Sequence, residues 1–286
     1  MKRYRFLCLL GVLLLTGCNS SKKKTSKGGY TAPLKYGIFL GANSSDINKF
    51  KNYSNIAIDL DEFSSSDIAK IKQNEQGIYA YLSIGSLEKY RSYYETYKDL
   101  TFMDYENWPD ERWVNVSNSS WQGHISSEAD RLKAMGADGI FMDNFDVYYI
   151  AKEEYRGSDI NAEDIFNGCK TILETLSEKN LKLMINSGTD FLERLHDENS
   201  PLLSSINVYA QECVFSSIVD YENNIFGRQS TADHEYYLDI VYFMRYVSDV
   251  LFIEYTKDDS LKKEIVEYCD DLNYHYYISS TVDLKA

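Results

Sequence analysis

Much that would direct a chain of this length is missing from it. The longest uninterrupted apolar run is the ten residues Phe6 to Leu15, about half of the ~20 residues a bilayer-spanning helix needs. Of the five cysteines, Cys8 and Cys18 lie near the start, and Cys169, Cys213 and Cys269 are odd in number and scattered. That set is no disulfide framework. The four histidines (124, 196, 234, 275) are dispersed, and neither CxxC nor HExxH occurs, so no structural zinc site is expected. Basic residues are also short: 30 Lys and Arg face 44 Asp and Glu, for a formal charge of −14. Phosphate backbones would be repelled, which argues against nucleic acid. Solubility accounts for most of such a charge, and a cationic substrate remains compatible with it. No heptad, low-complexity block or strong 20–50-residue repeat follows the first 35 residues.

What the N-terminus does have is order. Basic Met1–Arg5 precedes the apolar run, which suits a secretory signal. The run leads into Leu15-Thr-Gly-Cys18, which resembles the lipobox of bacterial lipoproteins. The resemblance implies cleavage after residue 17, lipid on Cys18, and a protein exported to the cell envelope and anchored to a bacterial membrane. Residues 18–35 then read as a tether, since Asn19 to Gly29 carry no apolar residue to offset ordering entropy. Loss of residues 1–17 would remove three basic residues and take the charge to −17. The remaining 36–286 match the ~250 residues of one barrel domain.

Eight short apolar runs recur through that domain: 36–40, 55–60, 77–84, 139–142, 181–185, 206–210, 250–255 and 275–279. Helical patterns at 44–51, 64–73, 126–135, 162–179, 233–246 and 261–272 separate most of them. Ser64 to Asp67 reads as a capping box. Ile165, Phe166, Cys169, Ile172, Leu173 and Leu176 form one apolar face. Strands alternating with helices imply parallel pairing. Eight units in ~250 residues, without a Gly-x-Gly-x-x-Gly turn after the first strand, predict an α/β fold, a single (β/α)₈ TIM barrel.

Chemistry in such a barrel belongs at the C-terminal ends of the strands. The residues there are Asp59, Asp61 and Glu62; Tyr81 and Ser83; Asp143, Asn144 and Asp146; Asn186; Glu212; and Glu254 with Tyr255. This ring of carboxylates, amides and tyrosines suits glycosidic bond cleavage, which uses two carboxyl groups with separated pKa values. Asp143 directly follows Ile-Phe-Met, where an unpaired charge is costly to bury; it and Glu212 are the candidate catalytic pair. Asp59, Tyr81, Ser83, Asn144, Asp146, Asn186 and Tyr255 are the candidate substrate contacts. Asp61 and Glu62 read as helix caps and Asp138, before its strand, as structural. Trp113 is open between cleft and core. No metal or other cofactor is expected.

Three segments carry a further resemblance: Tyr79-Ala-Tyr-Leu-Ser-Ile-Gly-Ser-Leu-Glu88 with Tyr90-Arg91, Trp113-Val-Asn-Val116, and Gly136 through Tyr148 with its Gly-Ile-Phe-Met-Asp-Asn-Phe-Asp core. Together they resemble the endo-α-1,4-polygalactosaminidases of glycoside hydrolase family 114. The resemblance implies a cofactor-free TIM barrel that cleaves α-1,4-linked galactosamine polymers, with the strand-four aspartate at Asp143 and the strand-six glutamate at Glu212. Asn115 stands where the family commonly has Asp, and Ser187 where Pro is usual. A retaining hydrolysis by a monomer acting on a polysaccharide is the expectation. The alternatives are a non-catalytic glycan-binding surface lipoprotein and a barrel hydrolase for another cell-wall or capsule polysaccharide.

Overall fold

The computed structural model describes residues 34–285. The expected signal and Cys18 lie outside these residues, as does the tether up to residue 33. Eight parallel strands follow one another around the sheet in chain order: β1 (Leu34–Phe39), β2 (Tyr53–Ile58), β3 (Gly77–Ser83), β4 (Gly139–Asp143), β5 (Lys182–Asn186), β6 (Val208–Glu212), β7 (Asp249–Tyr255) and β8 (His275–Ser279). β8 packs beside β1, so the sheet is nearly closed. These are the eight runs read from the sequence. Each is continuous in apolar residues because helices cover the outside while side chains fill the inside. In β4, Gly139 through Met142 are all buried.

Among the described residues the helices that connect successive strands include α1 (Ile47–Phe50), α2 (Ser65–Gln73), α3 (Ser119–Met135), α4 (Ala162–Ser177), α5 (Thr189–Asp197), α6 (Thr231–Met244) and α7 (Asp259–Leu272). The capping box at α2 is present, with Ser64 and Asp67 exchanging hydrogen bonds. The apolar face expected of α4 is the face it buries. α3 differs from expectation by starting at Ser119, capped by Asn118, rather than near Ser126. Trp121 and Ile125 extend the buried stripe of Ala129 and Leu132 by two turns, and the Trp121 indole donates to Ile84 O. α5 was not expected at all. Its start is set by Gly188 in the left-handed conformation (φ +71°) and has no side-chain cap, so the usual signal was missing.

Two excursions at the C-terminal end of the barrel were also unforeseen. After β3 the chain forms a three-stranded antiparallel sheet (Ser86–Glu88, Thr101–Asp104, Glu111–Val114), and after β6 a hairpin (Ser216–Asp220, Ile225–Arg228). The first excursion is fastened tightly to β4: a Cβ on Gly85 would lie 1.9 Å from Asn144 O and 2.8 Å from Val147 Cβ. Backbone cannot yield there as a flexible side chain would. Gly85→Ala is therefore expected to destabilise the fold by about 3 kcal/mol or more, seen as a lowered melting midpoint. An unchanged midpoint would show that this junction is looser than described.

Candidate active site

The strands place three polar side chains side by side at the barrel mouth. β4 ends on Asp143, β5 on Asn186 and β6 on Glu212. Asn186 Nδ2 donates one hydrogen to Asp143 Oδ1 (3.0 Å) and the other to Glu212 Oε1 (2.7 Å). Two oxygens bound to one nitrogen in this way lie less than about 6 Å apart. The Tyr255 hydroxyl, from the end of β7, donates to Glu212 Oε2 (2.9 Å). Asn144, whose φ of +67° turns the chain sharply after β4, donates its backbone N–H to Asp143 Oδ1 (2.9 Å). Asp143 lines the cleft, and its Oδ2 is left without a hydrogen bond among the described residues.

Burial raises both carboxyl pKa values, and the proximity of Glu212 raises that of Asp143 further; the Asn186 amide acts in the opposite direction on each. Two carboxyl groups this close in a desolvated site resist joint ionisation, so their titrations are coupled. A glycosidase needs one such group ionised and one protonated.

Around the pair lies a cleft of about 360 Å³. Among the described residues seven carboxylates line it (Asp59, Glu88, Glu111, Asp143, Asp146, Glu212, Asp283) and no Lys, Arg or His does, so its field favours cations. Tyr81, Tyr90, Tyr105, Trp108, Tyr221 and Tyr255 supply aromatic walls, surfaces on which sugar rings stack. Trp108 from the first excursion and Tyr221 from the hairpin meet edge to face at 6.1 Å, joining the two excursions at the cleft wall. Residues 282–284 close the β1 side, with Val282 N donating to Asn224 Oδ1 of the hairpin (2.6 Å).

Of the expected contacts, Asp59, Tyr81, Asn144, Asp146, Asn186 and Tyr255 all line this cleft. Ser83 does not. Its hydroxyl donates to Ser86 O (3.0 Å) and accepts from Asn144 Nδ2 (3.0 Å), so it anchors the turn after β4 from behind. Asp59 is tied on both sides, accepting Asp61 N (3.1 Å) and pairing with Arg91 (2.8 Å). It is Asp59, not Asp61 or Glu62, that caps the turn at 60–62; Asp61 instead pairs with Arg131. Asp146 accepts Gly188 N (3.3 Å), and burial holds its carboxyl up at about 6. Trp113 is buried, stacked against Tyr105 (4.2 Å between centroids), which is the ring that reaches the cleft. Tyr105, Trp108, Glu111, Tyr221 and residues 282–284 escaped the sequence reading. They sit on excursions and a terminal segment, not at barrel strand ends. Among the described residues no group of three or more His, Cys, Asp or Glu could hold a metal ion, and the three cysteines there are free.

Residues 19–284 match the profile of glycoside-hydrolase family GH114. The chain belongs to that family. It is a glycoside hydrolase by membership, and solved glycoside hydrolase structures share its fold. The glycoside hydrolase domain of PelA from Pseudomonas aeruginosa superposes with a TM-score of 0.73 at 15% identity, over 89% of this chain and 97% of that one. Ega3 from Aspergillus fumigatus, solved in complex with galactosamine, gives 0.66 at 19% identity over 92% and 96%. An α-galactosidase from Thermus thermophilus gives 0.54 at 10% identity, over 90% of this chain and 60% of its own. At such identities these likenesses concern the fold. An uncharacterised protein of Deinococcus radiodurans is 32% identical over 87 residues, 28% of each chain.

For a GH114 hydrolase, the amide that bridges the two carboxylates is a tuning element. Because the Asn186 N–H groups favour the charged forms, removing them lets both pKa values rise. Asn186→Ala is expected to move the acidic limb of the kcat/KM–pH profile to higher pH and lower kcat by about 10²-fold. An acidic limb that stays in place or moves to lower pH would contradict the bridge.

Proposed function

We propose that the protein hydrolyses internal α-1,4 bonds of a galactosamine-containing polysaccharide with retention of configuration. The observation that carries this reading is the amide-bridged pair in a cleft lined, among the described residues, by seven carboxylates and no basic residue. A polymer of de-N-acetylated galactosamine is cationic, and such a cleft attracts it. The fold shared with Ega3, which was solved with galactosamine bound, supports the same substrate class, as does membership of GH114.

Retention is favoured by the spacing. Retaining enzymes hold their carboxyl groups ~5–5.5 Å apart, and inverting ones ~6.5–9.5 Å to admit a water; a separation below about 6 Å leaves no room for that water between them. Asp143 is assigned as nucleophile, through the Oδ2 that makes no hydrogen bond. Glu212 is assigned as general acid and then base. Tyr255 suits that change of role, because its hydroxyl donates to a carboxylate and accepts from a carboxylic acid. Asp143 Oδ2 would attack the anomeric carbon as Glu212 protonates the departing glycosidic oxygen. Glu212 would then take a proton from the water that releases the glycosyl ester.

Incubation with a purified α-1,4-galactosamine polymer tests the reading. Oligosaccharides of mixed length should accumulate, with product anomers initially of the α form by NMR. Asp143→Asn should lower the rate by about 10³-fold or more; full hydrolysis by that variant would refute the assignment. We further propose export and lipid anchoring through Cys18. Cys18→Ser should shift the protein from the membrane fraction to a soluble one, whereas unchanged membrane association would count against the anchor.

A further inference from the structure

One cleft carboxylate is given no work by this mechanism. Glu111 opens the last strand of the first excursion and lines the cleft wall. Its Oε2 accepts the Ser86 hydroxyl (2.6 Å), and Ser86 Oγ in turn accepts Asn144 Nδ2 (3.0 Å), next in sequence to Asp143. A hydrogen-bond chain thus fixes Glu111 relative to the nucleophile. Its Oε1 takes no hydrogen bond among the described residues. The nearest cation, Arg91, is spent elsewhere: Glu88 holds its Nε (2.5 Å) and Asp59 its Nη2 (2.8 Å). Glu88 is occupied further by the Tyr90 hydroxyl (2.7 Å). Glu111 is therefore a largely buried carboxylate, held in one orientation, with an open oxygen and no ion-pair partner among the described residues. Burial and the neighbouring Glu88 push its carboxyl up to about 7. An unpaired group of this kind costs stability, and its position is better explained by a partner that arrives with the substrate.

We propose that Glu111 is the specificity residue that reads substrate charge, its Oε1 receiving the ammonium group of an amino sugar bound beside the scissile residue. This rests on the galactosamine reading and deepens it. A hydrogen bond from an ammonium to a carboxylate in a desolvated wall is strong. An N-acetyl group at the same place brings a bulkier and neutral amide, which leaves the carboxylate without its counter-charge.

Steady-state kinetics of the full chain on an α-1,4-galactosamine oligosaccharide test the proposal, with its N-acetylated counterpart as substrate or competitive inhibitor. Glu111→Gln retains an acceptor for Ser86 and removes the charge. KM for the cationic oligosaccharide should rise at least about tenfold with kcat changed less than about twofold, while binding of the acetylated one holds or improves. Glu111→Asp keeps the charge and should preserve the preference for the cationic ligand within about threefold. Equal losses on both ligands, a loss confined to kcat, or no loss in Glu111→Gln would overturn the proposal, as would the same fall in both variants. A wild-type enzyme that cleaves neither oligosaccharide would instead overturn the galactosamine reading on which it rests.

Discussion

Two carboxylates held close together in a desolvated cleft repel one another, and the rest of the site is arranged around that repulsion. A single amide group, Asn186 Nδ2, faces both. It can do so because β5 lies between β4 and β6: Met142 pairs with Ile185, one residue before Asp143 and Asn186, and Asn186 pairs with Ala210, two residues before Glu212. The bond is directional: a flipped Asn186 would turn its carbonyl oxygen toward two acceptors. Strand order in a parallel barrel thus becomes a distance between reacting groups. A change in register by one residue would turn these side chains to the other side of the sheet.

Behind the pair, the structure spends polar groups on keeping turns in place. The Ser83, Ser86 and Asn144 side chains form a buried cluster that locks the left-handed turn after Asp143. Glu254, fully buried at the end of β7, does the same after β6. It accepts Phe215 N (3.0 Å), Ser216 N (2.8 Å) and the Ser216 hydroxyl (2.5 Å), so the chain leaving Glu212 is pinned where the hairpin starts. Neither group has to touch a sugar to matter for hydrolysis. A misplacement of about 1 Å can cost about 10²-fold in rate.

The barrel was legible because its strands are buried on both faces and leave continuous apolar runs. A polar residue directly after such a run, like Asp143 after Ile-Phe-Met, stands out on the same ground. Asn186 could be placed at the rim by that rule, but its contact with two carboxylates depends on neighbouring strands and has no local signature. Ser83 shows the limit from the other side: at a strand end, yet turned into the support of the next loop. The excursions were hidden because strands of three to five residues, partly exposed, alternate too briefly to be told from loop. With them went Glu111, Tyr105, Trp108 and Tyr221. Trp113 drew notice as an aromatic in a shared motif, and it proves to be the support beneath Tyr105.

The acidity of the chain takes on a different meaning once charges are placed. Away from the cleft, a number of carboxylates find cations: Asp138 pairs with Lys72, Asp249 with Lys35 (2.5 Å), Asp130 with Lys179 (2.8 Å), Asp61 with Arg131 (2.7 Å). Exposed pairs like these contribute little to stability, but they neutralise the local field. Inside the cleft Asp59 and Glu88 share Arg91, while Asp143, Asp146, Glu111 and Glu212 have no ion pair among the described residues. Where charges are desolvated, their interactions are least screened. An even spread of acid would serve solubility alone. Four unpaired carboxylates placed where screening is weakest serve the capture of a cation, and burial there raises the pKa values of the catalytic pair.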